Sequence, residues 1–478
     1  MRARRAAGWC LPAVLWLSTI TEPAWAGDWP RFRGPNGSGV AADSELPRSF
    51  GPVQNRIWAV DVPPGFSSPI VNGDSLFLTA VEDEKLLTLH YDRNTGAELW
   101  RRECPRPRKE TLDKRNHAAA ASVAADGANV YVFFGDFGLI SYDFDGKERW
   151  RLPLGPFDNS YGMGASPIVV DGFVVLMCDQ RSGSFIVAAD KNTGKVRWKR
   201  DRPDAISGHS TPVVYETNAG KKQILAPGSF RMDAYAVETG ESEWWVYGLA
   251  SEMKSVPVVG LGLVYVAGYN VPENDAGQQI EVPPFAKALA EYDANGNKQV
   301  SRDELPEGRL RKFVGFSDGN KDGELNEAEW RTYAAAQASE NGLRAIRPGG
   351  QGDTTATSLA WKQQRGIPQL PSPLLYEGIL YLINDGGRLT LFDAETGDII
   401  KQLRLRGALD NYYASPVAGG GHVYFTSLTG YVTVLRAGRK PSILTVNKLD
   451  DAVYATPAIA DGHIYLRTAS RLYCFGEK

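Results

Sequence analysis

Apolar and polar positions alternate along this chain in short runs that Gly, Asp and Asn interrupt. The stretch 166–198 is typical. Its four apolar runs are rich in Val, Ile and Phe, and turns such as Asp171-Gly172 and Asn192-Thr193-Gly194 separate them. Branched and aromatic residues favour strands, whereas Gly, Asp and Asn tolerate the backbone angles of tight turns. The pattern therefore predicts four short antiparallel strands.

This four-strand unit recurs about every 45 residues through the chain. Six copies begin with Ser/Thr-Pro, and two degenerate copies begin at Ser122-Val123 and Val256-Pro257. The regular starts are Ser68-Pro69, Ser166-Pro167, Thr211-Pro212, Ser372-Pro373, Ser415-Pro416 and Thr456-Pro457. Eight repeats of four strands, arranged radially, predict an all-β, eight-bladed β-propeller.

The two ends of the chain predict how the ring closes. Residues 55–62, with Trp58, resemble a fourth strand that has no blade before it, and the last unit ends at Phe475 after its third strand. We expect the N-terminal strand to complete the last blade, because closure removes exposed sheet edges.

One gap in the spacing predicts an insertion in the fifth blade. Trp58, Trp100, Trp150, Trp198 and Trp244 lie 42 to 50 residues apart, but the next equivalent, Trp361, lies 117 residues beyond Trp244. The alternating pattern disappears in between. Good helix-forming sequence occurs there at 285–292, 309–316 and 327–338.

Two loops within the insertion carry oxygen-bearing side chains at calcium-binding spacing. In the second loop the candidate ligands are Asp318, Asn320, Asp322, Glu324 through its carbonyl, Asn326 and Glu329, with Gly323 at the sharp turn. In the first they are Asp293, Asn295, Asn297, Gln299, Ser301 and Glu304. Lys298 replaces the turn glycine there, and carboxylates are fewer, so we expect weaker binding. Val300 and Leu325 should pair across the loops.

The two loops and their helices resemble an EF-hand pair over residues 283–340. The resemblance implies bound Ca²⁺. Two roles for it remain open: a structural clip, or a switch, which requires an exposed apolar groove and a target.

Composition and termini indicate an exported protein. Residues 1–26 resemble a signal peptide, with Arg2, Arg4 and Arg5, a short apolar core and an Ala24-Trp25-Ala26 cleavage site. The expected parts are the signal 1–26, propeller residues 27–282 and 341–478, and the insertion 283–340. The destination is the periplasm or the extracellular space, and no membrane-spanning segment remains after cleavage. A formal net charge of −3 gives no electrostatic case for nucleic acid.

Three cysteines remain after the signal. Cys178 and Cys474 lie in or beside apolar runs and are expected to be buried thiols. Cys104 is expected near the surface, and a disulfide from it stays open.

The repeat itself resembles that of quinoprotein β-propellers. Asp190, Thr193, Gly194 and Trp198 carry the resemblance, and Asp92 to Trp100 and Asp393 to Gly397 are further copies. That group includes pyrroloquinoline quinone (PQQ)-dependent dehydrogenases and non-catalytic scaffolds similar to the outer-membrane assembly lipoprotein BamB. The chain lacks the vicinal Cys-Cys pair of the alcohol dehydrogenase branch.

First strands line a propeller axis, so residues just before each Ser/Thr-Pro are candidates for the channel. They are Asn116, His117, Tyr161, His209, Glu252, Lys254, Asn411, Tyr413 and Tyr454. His117 and His209 could act as acid or base, or simply as hydrogen-bonded rim residues. His422 and His463 are expected in turns.

Three functions are consistent with these features. The first is an exported calcium-binding propeller that binds a partner protein or a cell-surface partner. The second is a PQQ-dependent dehydrogenase with the quinone in the funnel. The third is a hydrolase or lyase built on channel residues.

Overall fold

The computed structural model describes residues 27–42 and 45–477, so the signal-peptide prediction lies outside the described residues. Eight blade sheets, seven with four strands and one with five, form the propeller, and a two-stranded sheet lies apart from them, so the predicted propeller is confirmed. The strands of the first four blades, preceded by β1 (Arg56–Asp61), are β2 (Ile70–Asn72), β3 (Ser75–Glu82), β4 (Lys85–Asp92), β5 (Glu98–Cys104), β6 (Ala124–Ala125), β7 (Asn129–Phe134), β8 (Gly138–Asp143), β9 (Glu148–Pro153), β10 (Ile168–Val170), β11 (Phe173–Cys178), β12 (Phe185–Asp190), β13 (Val196–Asp201), β14 (Val213–Glu216), β15 (Lys222–Pro227), β16 (Arg231–Ala236) and β17 (Ser242–Tyr247).

The fifth blade is interrupted between its second and third strands. Its strands, and those of the insertion and the last three blades, are β18 (Val258–Gly260), β19 (Leu263–Gly268), β20 (Val300–Ser301), β21 (Glu324–Leu325), β22 (Gly342–Ile346), β23 (Gly352–Asp353), β24 (Leu359–Gln363), β25 (Leu374–Tyr376), β26 (Ile379–Asn384), β27 (Arg388–Asp393), β28 (Ile399–Arg404), β29 (Val417–Gly419), β30 (His422–Thr426), β31 (Tyr431–Arg436), β32 (Ser442–Lys448), β33 (Ala458–Ala460), β34 (His463–Arg467) and β35 (Arg471–Phe475).

The ring closes as the two ends predicted. Strand β1 pairs antiparallel with β35, and Trp58 lies opposite Cys474. The eighth blade therefore has the order β1-β35-β34-β33 and takes its outermost strand from the N-terminal end. With β1 in place, the eighth blade has its full set of four strands.

A belt of hydroxyl groups around the axis explains the Ser/Thr-Pro signature. In seven of the eight junctions, the backbone N–H of one start residue donates to the side-chain hydroxyl of the next blade's start residue, at 2.9 to 3.0 Å. The belt includes the closing contact from Thr456 to Ser68. Buried N–H groups need partners, so the belt satisfies the innermost backbone and joins neighbouring blades.

Tryptophans fasten the same blades further out. In five junctions the indole N–H donates to a carbonyl of the next blade, at 2.8 to 3.1 Å, from Trp58, Trp100, Trp150, Trp198 and Trp361. The ring also covers the next Thr-Gly turn. At Gly194 (φ +70°) an added Cβ would lie 2.6 Å from Trp150, so both the backbone angle and the contact require glycine.

The junction between blades 4 and 5 lacks both fasteners. Val256 has no hydroxyl, and Trp244 donates to Gln223 of its own blade instead. A fifth strand compensates: β23, from the loop between β22 and β24, pairs in parallel with β17.

The insertion, residues 269–341, is largely helical and irregular. It contains α1 (Phe285–Tyr292), α2 (Val314–Ser317) and α3 (Glu327–Ala338), and α4 (Thr355–Ser358) follows in the blade. Three-residue 3₁₀ turns lie at Pro35–Gly37, Pro272–Asn274 and Arg309–Arg311. Val300 pairs with Leu325, as the loop positions predicted. A small separate core contains both, together with Trp330 and Tyr333.

Two local predictions were wrong. The sequence 309–316 does not form one helix, because Phe313 adopts a left-handed conformation (φ +66°) that separates the 3₁₀ turn from α2. Cys104 is not near the surface: it ends β5 facing inward and is only 1% exposed. All three described cysteines are buried free thiols.

Candidate functional site

A funnel of about 970 Å³ opens on the propeller face that carries the loops joining one blade to the next. Seven of the nine predicted channel residues line it: Asn116, Tyr161, His209, Lys254, Asn411, Tyr413 and Tyr454. The other two, His117 and Glu252, lie behind the wall. His117 stacks near Phe66, with ring centroids 5.1 Å apart, and its Nδ1 accepts from the Ala119 N–H.

One wall of the funnel is aromatic. Phe66 stacks on Tyr454 with ring centroids 3.9 Å apart, and Tyr413 meets Tyr454 edge-on at 5.5 Å. Phe66 comes one residue before the Ser67-Ser68 start of blade 1, a position equivalent to others that the sequence analysis did select. Flat faces of this kind stack on apolar or planar ligand surfaces.

The opposite wall carries an ionised cluster. Glu252 accepts from Ser207 Oγ at 2.6 Å and pairs with Lys254 Nζ at 2.6 Å. Burial is the largest single effect and raises the pKa of Glu252. The Lys254 ammonium, His209 and the hydrogen bonds to the carboxylate together outweigh burial and hold that pKa below the usual range. Glu252 is thus a charged, fully engaged carboxylate.

His209 lies beside this pair as a neutral base. Burial lowers the pKa of His209 to about 4, although the Glu252 carboxylate opposes this shift. Its Nε2 lies 3.9 Å from Glu252 Oε1, and no hydrogen-bond partner for it occurs among the described residues. Tyr161 faces the imidazole ring edge-on at 5.9 Å. The arrangement leaves a buried imidazole nitrogen beside the Glu252 carboxylate without a hydrogen bond.

The floor of the funnel comes from a segment that sequence analysis did not connect with the channel. The N-terminal strap, residues 28–42, crosses the axis below the hydroxyl belt. Trp29 bridges to Val71 of blade 1, Arg31 donates to the Pro212 carbonyl of blade 4 at 2.6 Å, and Val40 bridges to Ala418 of blade 7. Phe32 reaches the cavity from this segment. The only available signal was the aromatic, arginine-rich composition of 29–33.

The insertion meets the same face as the funnel. Tyr269, Asp275 and Ala276 from its beginning line the cavity. At its far end Lys321 Nζ pairs with Asp158 Oδ2 of blade 3 at 2.8 Å. Asp158 and the funnel residue Tyr161 belong to one loop. The insertion therefore runs beside the funnel mouth, from blade 5 to blade 3.

The second predicted calcium loop holds its acidic side chains inward. Asp318 is 7% exposed; its Oδ2 accepts from the Gly323 N–H at 2.9 Å, whereas its buried Oδ1 has no partner among the described residues. Glu329 accepts from the N–H groups of Gly319, at 2.9 Å, and Asn326. Asn326 also begins α3 with a capping box that includes Glu329.

The first loop is more exposed and internally satisfied. Both Asp293 oxygens accept from loop N–H groups, and Glu304 accepts from Ser301 and two further N–H groups. Although desolvation opposes it, this bonding lowers the pKa of Glu304. Asn297 Nδ2 donates to Glu324 of the second loop at 2.6 Å, which links the loops. No group of three or more His, Cys, Asp or Glu side chains converges as a metal cluster within 27–42 and 45–477.

Among the same described residues, no helix is long and apolar enough to cross a membrane. The residues described thus form two distinct features. One is a funnel with an aromatic wall and a charged wall, and the other is a helical module with two oxygen-rich loops beside the funnel mouth.

Known structures share this fold. BamB from Moraxella catarrhalis superposes with a TM-score of 0.55 at 12% identity, covering 88% of this chain and 97% of that one. A quinohemoprotein alcohol dehydrogenase from Pseudomonas putida HK5 superposes with a TM-score of 0.56 at 12% identity, covering 94% of this chain and 80% of that one. Identities this low show the fold alone.

Sequence comparison shows the family. A curated relative, the outer membrane protein assembly factor BamB of Yersinia pestis, is 27% identical over 259 residues, which is 48% of this chain and 60% of the relative. The family model described as outer membrane protein assembly factor BamB matches residues 83–279 and 286–478. These two stretches contain most of the blades, and the second also includes the helices of the insertion almost completely. The chain therefore belongs to the family of outer membrane protein assembly factor BamB.

Proposed function

We propose that this chain is an exported, periplasmic binding protein that supports outer-membrane protein assembly, and that residues 283–340 form a calcium-binding module on it. Membership of the assembly-factor family carries the first part. A closed propeller suits binding, because its belt and tryptophan fasteners give a rigid ring on which loops present side chains. The partner is a protein or another cell-surface component.

The partnerless, buried Oδ1 of Asp318 carries the calcium part. A buried carboxylate oxygen without a hydrogen bond is costly unless a cation or a donor satisfies it. Asp318 is position 1 of a loop whose other oxygens come from Asn320, Asp322 and Glu329, the donor set that Ca²⁺ prefers. The residues present therefore fit this ion.

The first loop supports a weaker site. Asp293, Asn295, Asn297, Gln299 and Glu304 supply oxygens at the required spacing, but Lys298 takes a left-handed conformation (φ +66°) where glycine is usual. That conformation is strained for a side-chain-bearing residue. Fewer carboxylates also give less charge to hold a divalent cation.

The alternative, a PQQ-dependent dehydrogenase, fits the funnel less well. Holding calcium against the quinone requires free Glu, Asn and Asp oxygens, but Glu252 is occupied by Lys254 and Ser207. No tryptophan lines the described funnel to stack on a tricyclic quinone. We derive no redox step from this cavity.

Calorimetry separates these possibilities. Purified residues 27–478, stripped of metal, are titrated with Ca²⁺ and then with PQQ. We expect calcium binding without quinone binding. Glu329→Gln should abolish the tighter site, whereas Glu304→Gln should affect only the weaker one, because each removes that loop's bidentate ligand. Calcium-dependent quinone binding near one per chain would overturn the choice in favour of the dehydrogenase.

The assembly role is tested in the source organism. Deletion of the gene should lower the amount of folded outer-membrane proteins, and the wild-type gene should restore it. Unchanged folded amounts after deletion would refute this role, whatever the calcium titration shows.

A further inference from the structure

The insertion is attached to the propeller at two separate places. Its root emerges from blade 5 at Tyr269, and its far end reaches blade 3 at Asp158. Blade 4, and with it the junction that lacks both regular fasteners, lies between these attachments. The insertion therefore spans the junction that lacks both the hydroxyl-belt bond and the tryptophan bond.

The far attachment is a small polar network. Asp158 receives Lys321 Nζ at 2.8 Å and lies 3.6 Å from Arg181 Nε, while Arg181 Nη1 donates to the Gly315 carbonyl at 3.4 Å. Asp158 is fixed in turn, because its N–H donates to Gln180 at 2.9 Å and its carbonyl accepts from the Arg181 N–H at 2.9 Å. Lys321 is thus connected through Asp158 to the loop that carries Tyr161.

The near attachment is at the irregular junction itself. In the orientation that satisfies both atoms of its amide, Asn270 donates to the Glu252 carbonyl at 2.9 Å and accepts from the Glu252 N–H at 3.1 Å. The Asn270 N–H donates to Asn341 Oδ1 at 2.9 Å, and Asn341 Nδ2 donates to Asp275 at 2.8 Å. The root is therefore bonded to the loop between blades 4 and 5 and to the funnel wall.

The second calcium loop contains the far attachment. Lys321 is position 4 of that loop, with φ +62°, between the ligands Asn320 and Asp322. Asn320 Nδ2 donates to Asp322 Oδ2 at 2.9 Å. An ion bound in this loop is coordinated by oxygens of both side chains, which fixes the backbone on either side of Lys321.

We propose that calcium in the second loop locks the insertion onto blade 3 and so stiffens the blade 4–5 junction and the funnel rim. The inference rests on the calcium site proposed above. Ion binding selects the loop conformation that holds Lys321 at Asp158, and by reciprocity this contact raises calcium affinity. Partner or ligand access to the funnel mouth is then coupled to calcium.

The sign of one affinity change tests the coupling. Lys321 is not a ligand, and removal of a positive charge beside the site strengthens calcium binding by simple electrostatics. Coupling predicts the reverse: Lys321→Ala should weaken binding about threefold, the range of an exposed ion pair. In an Asp158→Ala background the same substitution should no longer weaken it. Lys287→Ala, an exposed lysine on α1, is the matched control.

Hydrogen exchange of the full chain gives the structural readout. In the wild type, calcium should slow amide exchange in residues 155–164 and 248–257. In the Lys321→Ala variant, calcium should slow exchange only within residues 318–329. Calorimetric binding without slower exchange in 155–164, or tighter binding by Lys321→Ala, would overturn the coupling and leave the calcium site standing. Absence of calcium binding would overturn both together.

Discussion

At the scale of single residues, each tryptophan contact between blades joins a tryptophan of one repeat to a glycine of the next repeat. Gly194 and Trp198 stand in one motif, yet Gly194 lies under Trp150 of the preceding blade, and Trp198 lies over Gly240 of the following one. The motif could therefore be recognised from sequence, but the partner of each member could not. Only closure of the ring brings these surfaces together.

Gly194→Ala tests this contact. The substituted residue must adopt φ +70° with a Cβ 2.6 Å from the Trp150 ring, whereas Gly262 (φ +72°) has nothing within 4 Å. Both substitutions bear the strain of a left-handed residue, about 1–2 kcal/mol. We expect Gly194→Ala to cost about 1–3 kcal/mol more than Gly262→Ala through overpacking. Denaturant unfolding followed by circular dichroism measures the difference, and equal costs would contradict the docking.

His90 makes stability depend on pH. It is 4% exposed, stacks on Phe77 at 4.4 Å, and neither ring nitrogen has a partner among the described residues. Burial lowers its pKa to about 4. His90 is therefore protonated near pH 6.5 in the unfolded chain but only near pH 4 in the folded chain. The free energy of unfolding consequently falls as the pH drops from 6.5 towards 4.

His90→Phe should weaken this dependence. The wild type loses free energy of unfolding between pH 7 and pH 5, and this loss should be about 2 kcal/mol smaller in the variant. That is the contribution expected of one histidine whose pKa falls from 6.5 to about 4 on folding. His117 and His209, whose pKa values burial also lowers to about 4, keep part of the slope. Unfolding titrations at several pH values measure it. An unchanged slope would show that His90 is not the group responsible.

At the scale of elements, regular features could be predicted and local departures could not. The strand repeat, the closing strand and the bounds of α1 and α3 follow from periodicity. The break before α2 depends on a left-handed Phe313, and the inward turn of Cys104 depends on packing beside Leu86 and Phe134. Seven funnel residues were predictable from their place before each Ser/Thr-Pro, but Phe32 was not, because it comes from a distant segment.

The hydroxyl belt is the element that the Ser/Thr-Pro repeat encodes. Ser166 Oγ accepts from the Ser122 N–H at 2.9 Å, and both groups are buried. Ser166→Ala leaves that N–H without a partner, at a cost of about 1–3 kcal/mol. Ser166→Thr should cost far less, because Thr occupies the same position at 211 and 456. Thermal melting of the two variants measures this difference. Equal melting temperatures of Ser166→Ala and Ser166→Thr would mean that the hydroxyl is dispensable.

At the scale of the whole molecule, the N-terminal residues have two roles. The strap, residues 28–42, forms the floor of the funnel, and β1 closes the ring. The strap buries Arg31 and Arg33, and burial lowers the pKa of each to about 9. Their guanidinium groups donate to carbonyls, including Pro373 at 2.8 Å, and no carboxylate pairs with them among the described residues. Buried cations held by carbonyls alone tie blades 4 and 6 across the axis. Strap and closing strand are separable, since β1 follows the strap in the chain.

Two truncations distinguish these roles. Removal of 27–50 deletes the floor but keeps β1, so we expect a monomeric ring with a lower melting temperature. Removal of 27–62 also deletes β1, which leaves β35 as an open edge and Gly96 without Trp58. Open edges pair with other chains, so this variant should form oligomers, and a peptide of residues 51–62 should return it to a monomer. Size-exclusion chromatography with light scattering measures both. A monomeric 63–478 chain with the melting temperature of 51–478 would mean that β1 does not close the propeller.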